Sequence, residues 1–254
     1  MSKHVVAVLN QKGGVGKTTT VLNLSAYLAK AGRSVLVVDL DPQGNTTSGF
    51  GLDKHSLDTT LYDVLFSGAE VSGTLRPVTI QNIMLLPANA RLASAEVDLV
   101  KMPERERVLK KAISDLEYDY ILIDCPPSLG LLTINALTAA TDLLIPVQTE
   151  YYAMEGLSQL LAVVQEVKKG LNPNLNLLGV VLTLYDSRTS LADQVKSEIE
   201  THFGSKVFKT VIPRNVRLAE APSFGKTILE HDSWSKGAKA YKALAKEMED
   251  RVYG

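Results

Sequence analysis

Short runs of β-branched and aliphatic residues alternate along this chain with longer stretches in which apolar residues recur every three or four positions. That rhythm predicts strands joined by crossover helices, the arrangement of a parallel sheet covered on both faces. Seven runs read as strands: HVVAVLN (4–10), SVLVVDLD (34–41), NIMLLPA (82–88), YDYILIDCPP (118–127), DLLIPVQ (142–148), LNLLGVVLTLYD (175–186) and KVFKTVIP (206–213). Several are apolar almost throughout, as strands buried on both faces are. Helical patterns fall between and after them, at KTTTVLNLSAYLAKAG (17–32, closed by Gly32), MEGLSQLLAVVQEVKKGL (154–171) and SKGAKAYKALAKEMEDRV (235–252). The expected fold is a doubly wound, mostly parallel α/β sheet of about seven strands flanked by helices. No repeat or Pro/Ser-rich linker divides residues 1–254, so one domain is expected.

Composition narrows the function classes. Hydrophobic residues make up 45% and charged residues 22%, ordinary for a globular chain, and the net charge of −1 gives no overall pull toward nucleic acid or lipid. Any such binding must come from a local patch. A single cysteine excludes an internal disulfide framework and suits a reducing cytoplasm. The opening MSKHVVAVLN reaches polar residues too soon for a secretory signal, and no apolar run has the length of a membrane span. A cytoplasmic protein is expected.

The candidate chemistry starts at LNQKGGVGKTTTVLNL. A strand, a glycine-rich turn and a helix in succession are the context of a phosphate loop. Gly13, Gly14 and Gly16, with Val15 between them, let successive N–H groups converge on phosphate oxygens at a helix start. Lys17 would reach the β- and γ-phosphates, Thr18 would hold Mg²⁺ and Thr19 would bond an inner phosphate. Two strands end in carboxylates at the sheet edge where ligands bind: Asp39 and Asp41 in VLVVDLDPQGN, and Asp124 in YILIDCPPS. Asp124 fits the residue that holds Mg²⁺ directly or through water, and Asp41, nearer the mouth, fits one that positions an attacking water.

KGGVGKTTT, DLDPQGN and IDCPPSLG together resemble the deviant Walker A ATPases. With YDSRTSLADQV and IPRNVRLAEAPSFGKTI, the whole chain resembles the chromosomal ParA/Soj-type partitioning proteins. The resemblance implies an ATP- and Mg²⁺-dependent ATPase, slow and stimulated by a ParB-type centromere-binding partner. It implies a homodimer when ATP is bound, and localisation on the nucleoid through non-specific DNA. It also accounts for Lys12, which replaces the usual spacing of the loop. In this family the matching lysine crosses a dimer interface to the partner's ATP, joining Lys17 and Asp41 as a catalytic group. Pro213 and Asn215 would lie against adenine, although IPRN also reads as an ordinary turn. Arg188 and Arg217 would contact DNA.

Other residues carry less. Cys125, in a buried strand, reads as core. His4, His55, His202 and His231 lack metal spacing. Trp234 is expected to pack the last helix onto the domain, and Glu150 with the following YYAMEGL to line the dimer face. Two alternatives remain open: a MinD-like membrane-associated ATPase, and a dethiobiotin-synthetase-like metabolic enzyme. The acidic C-terminal helix, short of large apolar residues, speaks against lipid.

Overall fold

The computed structural model describes residues 3–150 and 153–254. Seven strands form one sheet: β1 His4–Val8, β2 Val35–Asp39, β3 Arg76–Pro77, β4 Ile83–Leu86, β5 Tyr120–Asp124, β6 Asp142–Gln148 and β7 Asn176–Thr183. Their order is β3-β4-β2-β5-β1-β6-β7, and every pairing is parallel except the short edge pair β3–β4. The central strands β2 and β5 are buried along their full length, and β1 from Val5 on, because helices cover both faces. Alternation divides them: Val6, Val8, Val35 and Val37 face one core, while Val5, Ala7, Leu36 and Val38 face the other. The first core is closed by the helices Lys17–Lys30 and Lys236–Tyr253, which pack against each other across it.

The number of strands agrees with the sequence, but their identities do not fully agree. The edge strand β3 replaces the expected strand over KVFKTVIP. That segment makes only isolated bridges to β7, with Phe208 N–H donating to Val180 O and Ile212 N–H to Leu182 O, each at 2.8 Å. Between them, Lys209 and Thr210 turn their N–H groups to the Glu247 carboxylate, at 2.8 and 2.9 Å. A charged acceptor on the last helix therefore takes the donors that a continuous ladder needs.

The parallel topology gathers the carboxyl ends of β1, β2 and β5 at one edge. Asp39 and Asp124 stand directly opposite each other in the β2–β5 register. Beyond β2 the chain forms a short helix, Asn45–Gly49, and then meets the segment 221–225 backbone to backbone. A Cβ placed on Gly225, whose φ is +62°, would lie 2.5 Å from the Gly51 Cα. Gly225→Ala combines left-handed strain with backbone overlap and should cost about 2–4 kcal/mol. The expected result is a fall in thermal midpoint of roughly 5–10 °C. An unchanged midpoint would mean that the two segments are not pressed together as described.

Candidate active site

The loop after β1 is fixed from both sides before any ligand enters. Asn10 donates to Pro146 O at 2.8 Å and accepts the Lys12 N–H at 3.0 Å, tying the loop to β6. Val15 is buried, and its carbonyl accepts the Thr183 hydroxyl from β7 at 2.7 Å. Gly14 and Gly16 adopt φ of +75° and +89°, so the chain turns its N–H groups inward where a Cβ would be strained. Lys17 opens the helix and is buried, and its amine donates to Lys12 O at 3.1 Å. Burial lowers its pKa, while Asp124 opposes that shift.

Asp124 is fully buried and accepts from two hydroxyls at one oxygen: Thr18 of the loop and Thr46 of the segment after β2, each at 2.7 Å. Its other oxygen, Oδ1, has no hydrogen-bond partner among the described residues. A buried carboxylate oxygen without a donor, beside the Thr18 hydroxyl, is a donor set suited to Mg²⁺ or to water bound to it. Thr18 and Asp124 are the residues that would hold such an ion. Elsewhere among the described residues, no three His, Cys, Asp or Glu side chains cluster as ligands.

Asp39 is equally buried and is held by Thr47, whose N–H and hydroxyl donate at 2.8 and 2.7 Å. Burial and the neighbouring Asp124 charge push the Asp39 carboxyl up. Burial pushes Asp124 up as well, against the Thr46 and Thr18 hydrogen bonds that favour its charged form. Asp41 lies beside them, nearer the opening, with Oδ1 accepting the Gln43 N–H at 2.9 Å.

A cavity of about 410 Å³ joins these parts. Its lining includes Gly13, Gly14, Gly16, Lys17, Thr18, Thr19 and Asp41 at one end, and Pro213 and Asn215 at the other. Asn215 Oδ1 caps the helix Val216–Glu220 by accepting the Leu218 N–H at 3.1 Å, which orients its amide and leaves the NH₂ donors to the cavity. Leu184, at φ +51°, also lines it. Lys12 does not: its amine sits on Glu150 of the same chain at 2.6 Å, and both side chains are 46% exposed. The Tyr151 and Tyr152 expected beside Glu150 lie outside the described residues.

The family is decided by this loop and carboxylate geometry taken with the relatives of the whole chain. Residues 3–177 match the model of an AAA domain family. The chain is 54% identical over 246 residues to the sporulation initiation inhibitor protein Soj of Bacillus subtilis, covering 96% of this chain and 97% of that protein. It is also 54% identical over 247 residues to the chromosome-partitioning ATPase Soj of Thermus thermophilus, covering 97% and 96%. The chain belongs to the ParA/Soj family of partitioning ATPases. Its fold also matches a Mycobacterium smegmatis structure titled cobyrinic acid a,c-diamide synthase, with bound ADP and magnesium. That match has a TM-score of 0.85 and 41% identity, covering 96% of this chain and 93% of the other.

Within this ParA/Soj site, several contributors escape sequence reasoning. Thr46 and Thr47 hold the two buried carboxylates; their signal was the pair of threonines closing DPQGNTT. Tyr241 lines the cavity and shares a hydrogen bond with Thr20 at 3.1 Å, yet stands 221 residues away in sequence. Nothing local marks it as a site residue. Arg188 and Arg217 lie outside the cavity and are engaged within the chain: Arg188 grips Asp186 through two nitrogens at 2.8 and 2.7 Å, and Arg217 pairs with Glu220 at 3.0 Å. The Arg188 pair holds the Asp186 carboxyl well below the usual range. Trp234 does not pack the last helix at all; it is 84% exposed.

An acid whose folded-state pKa is raised stays protonated in the native chain where the unfolded chain ionises, so stability falls as pH rises through that range. Asp124→Asn removes this cost while its carbonyl oxygen can still accept the Thr18 and Thr46 hydroxyls. In nucleotide- and magnesium-free protein, the variant should melt about 3–6 °C above wild type near neutral pH. The gain should vanish below about pH 4, where the Asp124 carboxyl is protonated in the unfolded chain as well as the folded one. Melting curves across pH test this, and equal midpoints throughout would contradict the buried-charge account.

Proposed function

We propose that the chain is an ATP-driven partitioning switch, binding ATP with Mg²⁺ as a sandwich homodimer that holds DNA without sequence preference. Hydrolysis, slow alone and accelerated by a ParB-type centromere-binding partner, would release it. The observation that carries this reading is the division of labour between two lysines. Lys17 is buried inside the phosphate cradle, whereas the Lys12 amine stands outside its own cavity, exposed and, among the described residues, paired with Glu150. A cation at the mouth, unused by its own site, is suited to a second chain's triphosphate. Two facing polyanions would otherwise repel, so a cation supplied in trans both joins the dimer and offsets charge on the transferred phosphoryl group.

Each site residue has a role on this reading. The loop N–H groups and Lys17 hold the phosphates, with Thr19 at an inner one. Thr18 and Asp124 would hold Mg²⁺, which would supply charge neutralisation for the phosphates. Asp41, nearer the opening than Asp39, orients the attacking water. Pro213 and the Asn215 NH₂ group face the base. Arg188 and Arg217 contact DNA phosphates after exchanging the partly exposed carboxylates of Asp186 and Glu220 for them.

The diamide-synthase resemblance supports a second reading, ATP-dependent chemistry on a small carboxylate. The single thiol gives it no help: Cys125 is fully buried, and burial pushes its pKa up, so it is not a nucleophile. Steady turnover that requires a small carboxylic acid, with no response to DNA, would favour that reading. As to lipid, among the described residues no helix is long and apolar enough to cross a membrane.

Lys12→Ala should abolish ATP-dependent dimers and lower hydrolysis at least about 100-fold while nucleotide still binds. Size analysis with ADP, ATP and a slowly hydrolysed ATP analogue checks this; normal dimers and turnover would remove the trans role. Arg217→Glu should eliminate binding to unrelated duplex but leave those dimers intact. Wild-type affinity should fall steeply with salt, as expected for contacts to phosphates. Sequence-dependent, salt-insensitive binding would contradict it.

A further inference from the structure

The one tryptophan of the chain stands on the surface, on a rigid turn. Asp232 Oδ1 accepts the N–H groups of Trp234 and Ser235 at 3.2 and 3.1 Å, and Ser235 Oγ then caps the last helix through Ala238 N–H at 3.1 Å. The backbone is pinned from both sides, yet the residue is 84% exposed. A residue that contributes so much when buried is here held out in solvent.

A chain of contacts connects it to its surroundings. Asp232 also lies 3.8 Å from Arg217, Arg217 pairs with Glu220, and Glu220 lies 3.7 Å from His231. His231 in turn stacks on Phe224 with ring centroids 5.1 Å apart. Trp234 and Phe224, 84% and 64% exposed, thus stand at the two ends of a run of contacts that passes through the exposed Arg217.

The charge around them is one-sided. From Arg214 to Lys242 the chain has six Lys or Arg and three Asp or Glu. Local structure uses all three acids: Glu230 caps Thr227, Asp232 caps the Trp234 turn, and Glu220 pairs with Arg217. Lys226, Lys236 and Lys239 are exposed and form no ion pair among the described residues. Such a surface repels a basic protein segment and attracts a polyanion. It is also unlike a lipid-binding element, because the helix Val216–Glu220 has five residues and Arg217 interrupts its apolar surface.

We infer that Trp234, connected to Arg217 through Asp232, is a direct DNA-contacting residue: the arginine takes a phosphate while the indole presses against neighbouring sugar and base edges. This inference rests on the proposal that the ATP-bound protein holds DNA. Every step of a duplex presents sugars and base edges, so an apolar contact there adds affinity with little sequence preference.

As the sole tryptophan, Trp234 reports on its own contact. Full-length wild type, Trp234→Ala, Trp234→Phe and Arg217→Glu are titrated with unrelated duplex in a slowly hydrolysed ATP analogue, and wild type also with phosphatidylglycerol vesicles. Duplex should change wild-type indole emission, and vesicles should not. Trp234→Ala, with a wild-type thermal midpoint, should bind duplex about tenfold or more weakly, and Trp234→Phe should recover most of the loss. If duplex binds with unchanged emission and Trp234→Ala retains full affinity while Arg217→Glu loses it, the indole contact is wrong and the DNA reading survives. If wild type binds no duplex, the DNA reading fails and takes this inference with it. An emission change with vesicles alone would assign the patch to lipid and overturn the inference.

Discussion

Two carboxylates side by side in a dry interior organise this protein. Asp39 and Asp124 end adjacent parallel strands in register, both without solvent contact. Burial and mutual repulsion oppose their charge, so each must be held by donors. Thr47 serves Asp39; Thr46 and Thr18 serve Asp124. Those three threonines come from the phosphate loop and from the short helix after β2, so satisfying the carboxylates draws both segments to the sheet edge. The oxygen of Asp124 left without a donor is where that requirement is still unmet, and a cation would meet it.

The same short helix links the site to the far surface. Thr46 is one turn from Gly49, and Gly51 abuts the Gly225 backbone beside Phe224. Both contacts are backbone against backbone or a hydroxyl on a buried charge, and neither can stretch far. Any rearrangement of Asn45–Gly49 that follows a change at Asp124 must therefore either carry the 221–225 segment with it or open the glycine contact. That gives nucleotide chemistry a mechanical connection to the surface bearing Arg217, Phe224 and Trp234.

Much of the fold was legible because periodicity and burial agree: six of the expected strands are the β1, β2, β4, β5, β6 and β7 of the sheet. The phosphate loop was legible because its chemistry is local, a few residues in one turn. KVFKTVIP misled because its apolar pattern is real, since Phe208 and Ile212 are core, but strand pairing also requires its N–H groups, and Glu247 takes two of them. Tyr241 depends on tertiary placement and leaves no local trace, whereas Thr46 and Thr47 are visible only as the two threonines that close DPQGNTT. Trp234 was misread for a plainer reason. Tryptophan is usually buried, and the reading followed that tendency, but Asp232 and Ser235 fix the backbone so that the ring faces water.

The Lys12–Glu150 pair fits a switch better than a lock. Glu150 Oε1 also accepts from Gln148, so the carboxylate is already held when it takes the lysine through its other oxygen. Both charged side chains remain nearly half exposed, a setting in which an ion pair contributes at most about 1 kcal/mol. A triphosphate carries several negative charges against the single charge of Glu150, and closing a dimer over it excludes water and strengthens each attraction. On the proposed reading the amine therefore gains by leaving Glu150 when a partner's nucleotide arrives, and returns once the phosphate cleaved by hydrolysis has left the site. The pair keeps the cation ordered at the mouth without binding it tightly enough to prevent the exchange.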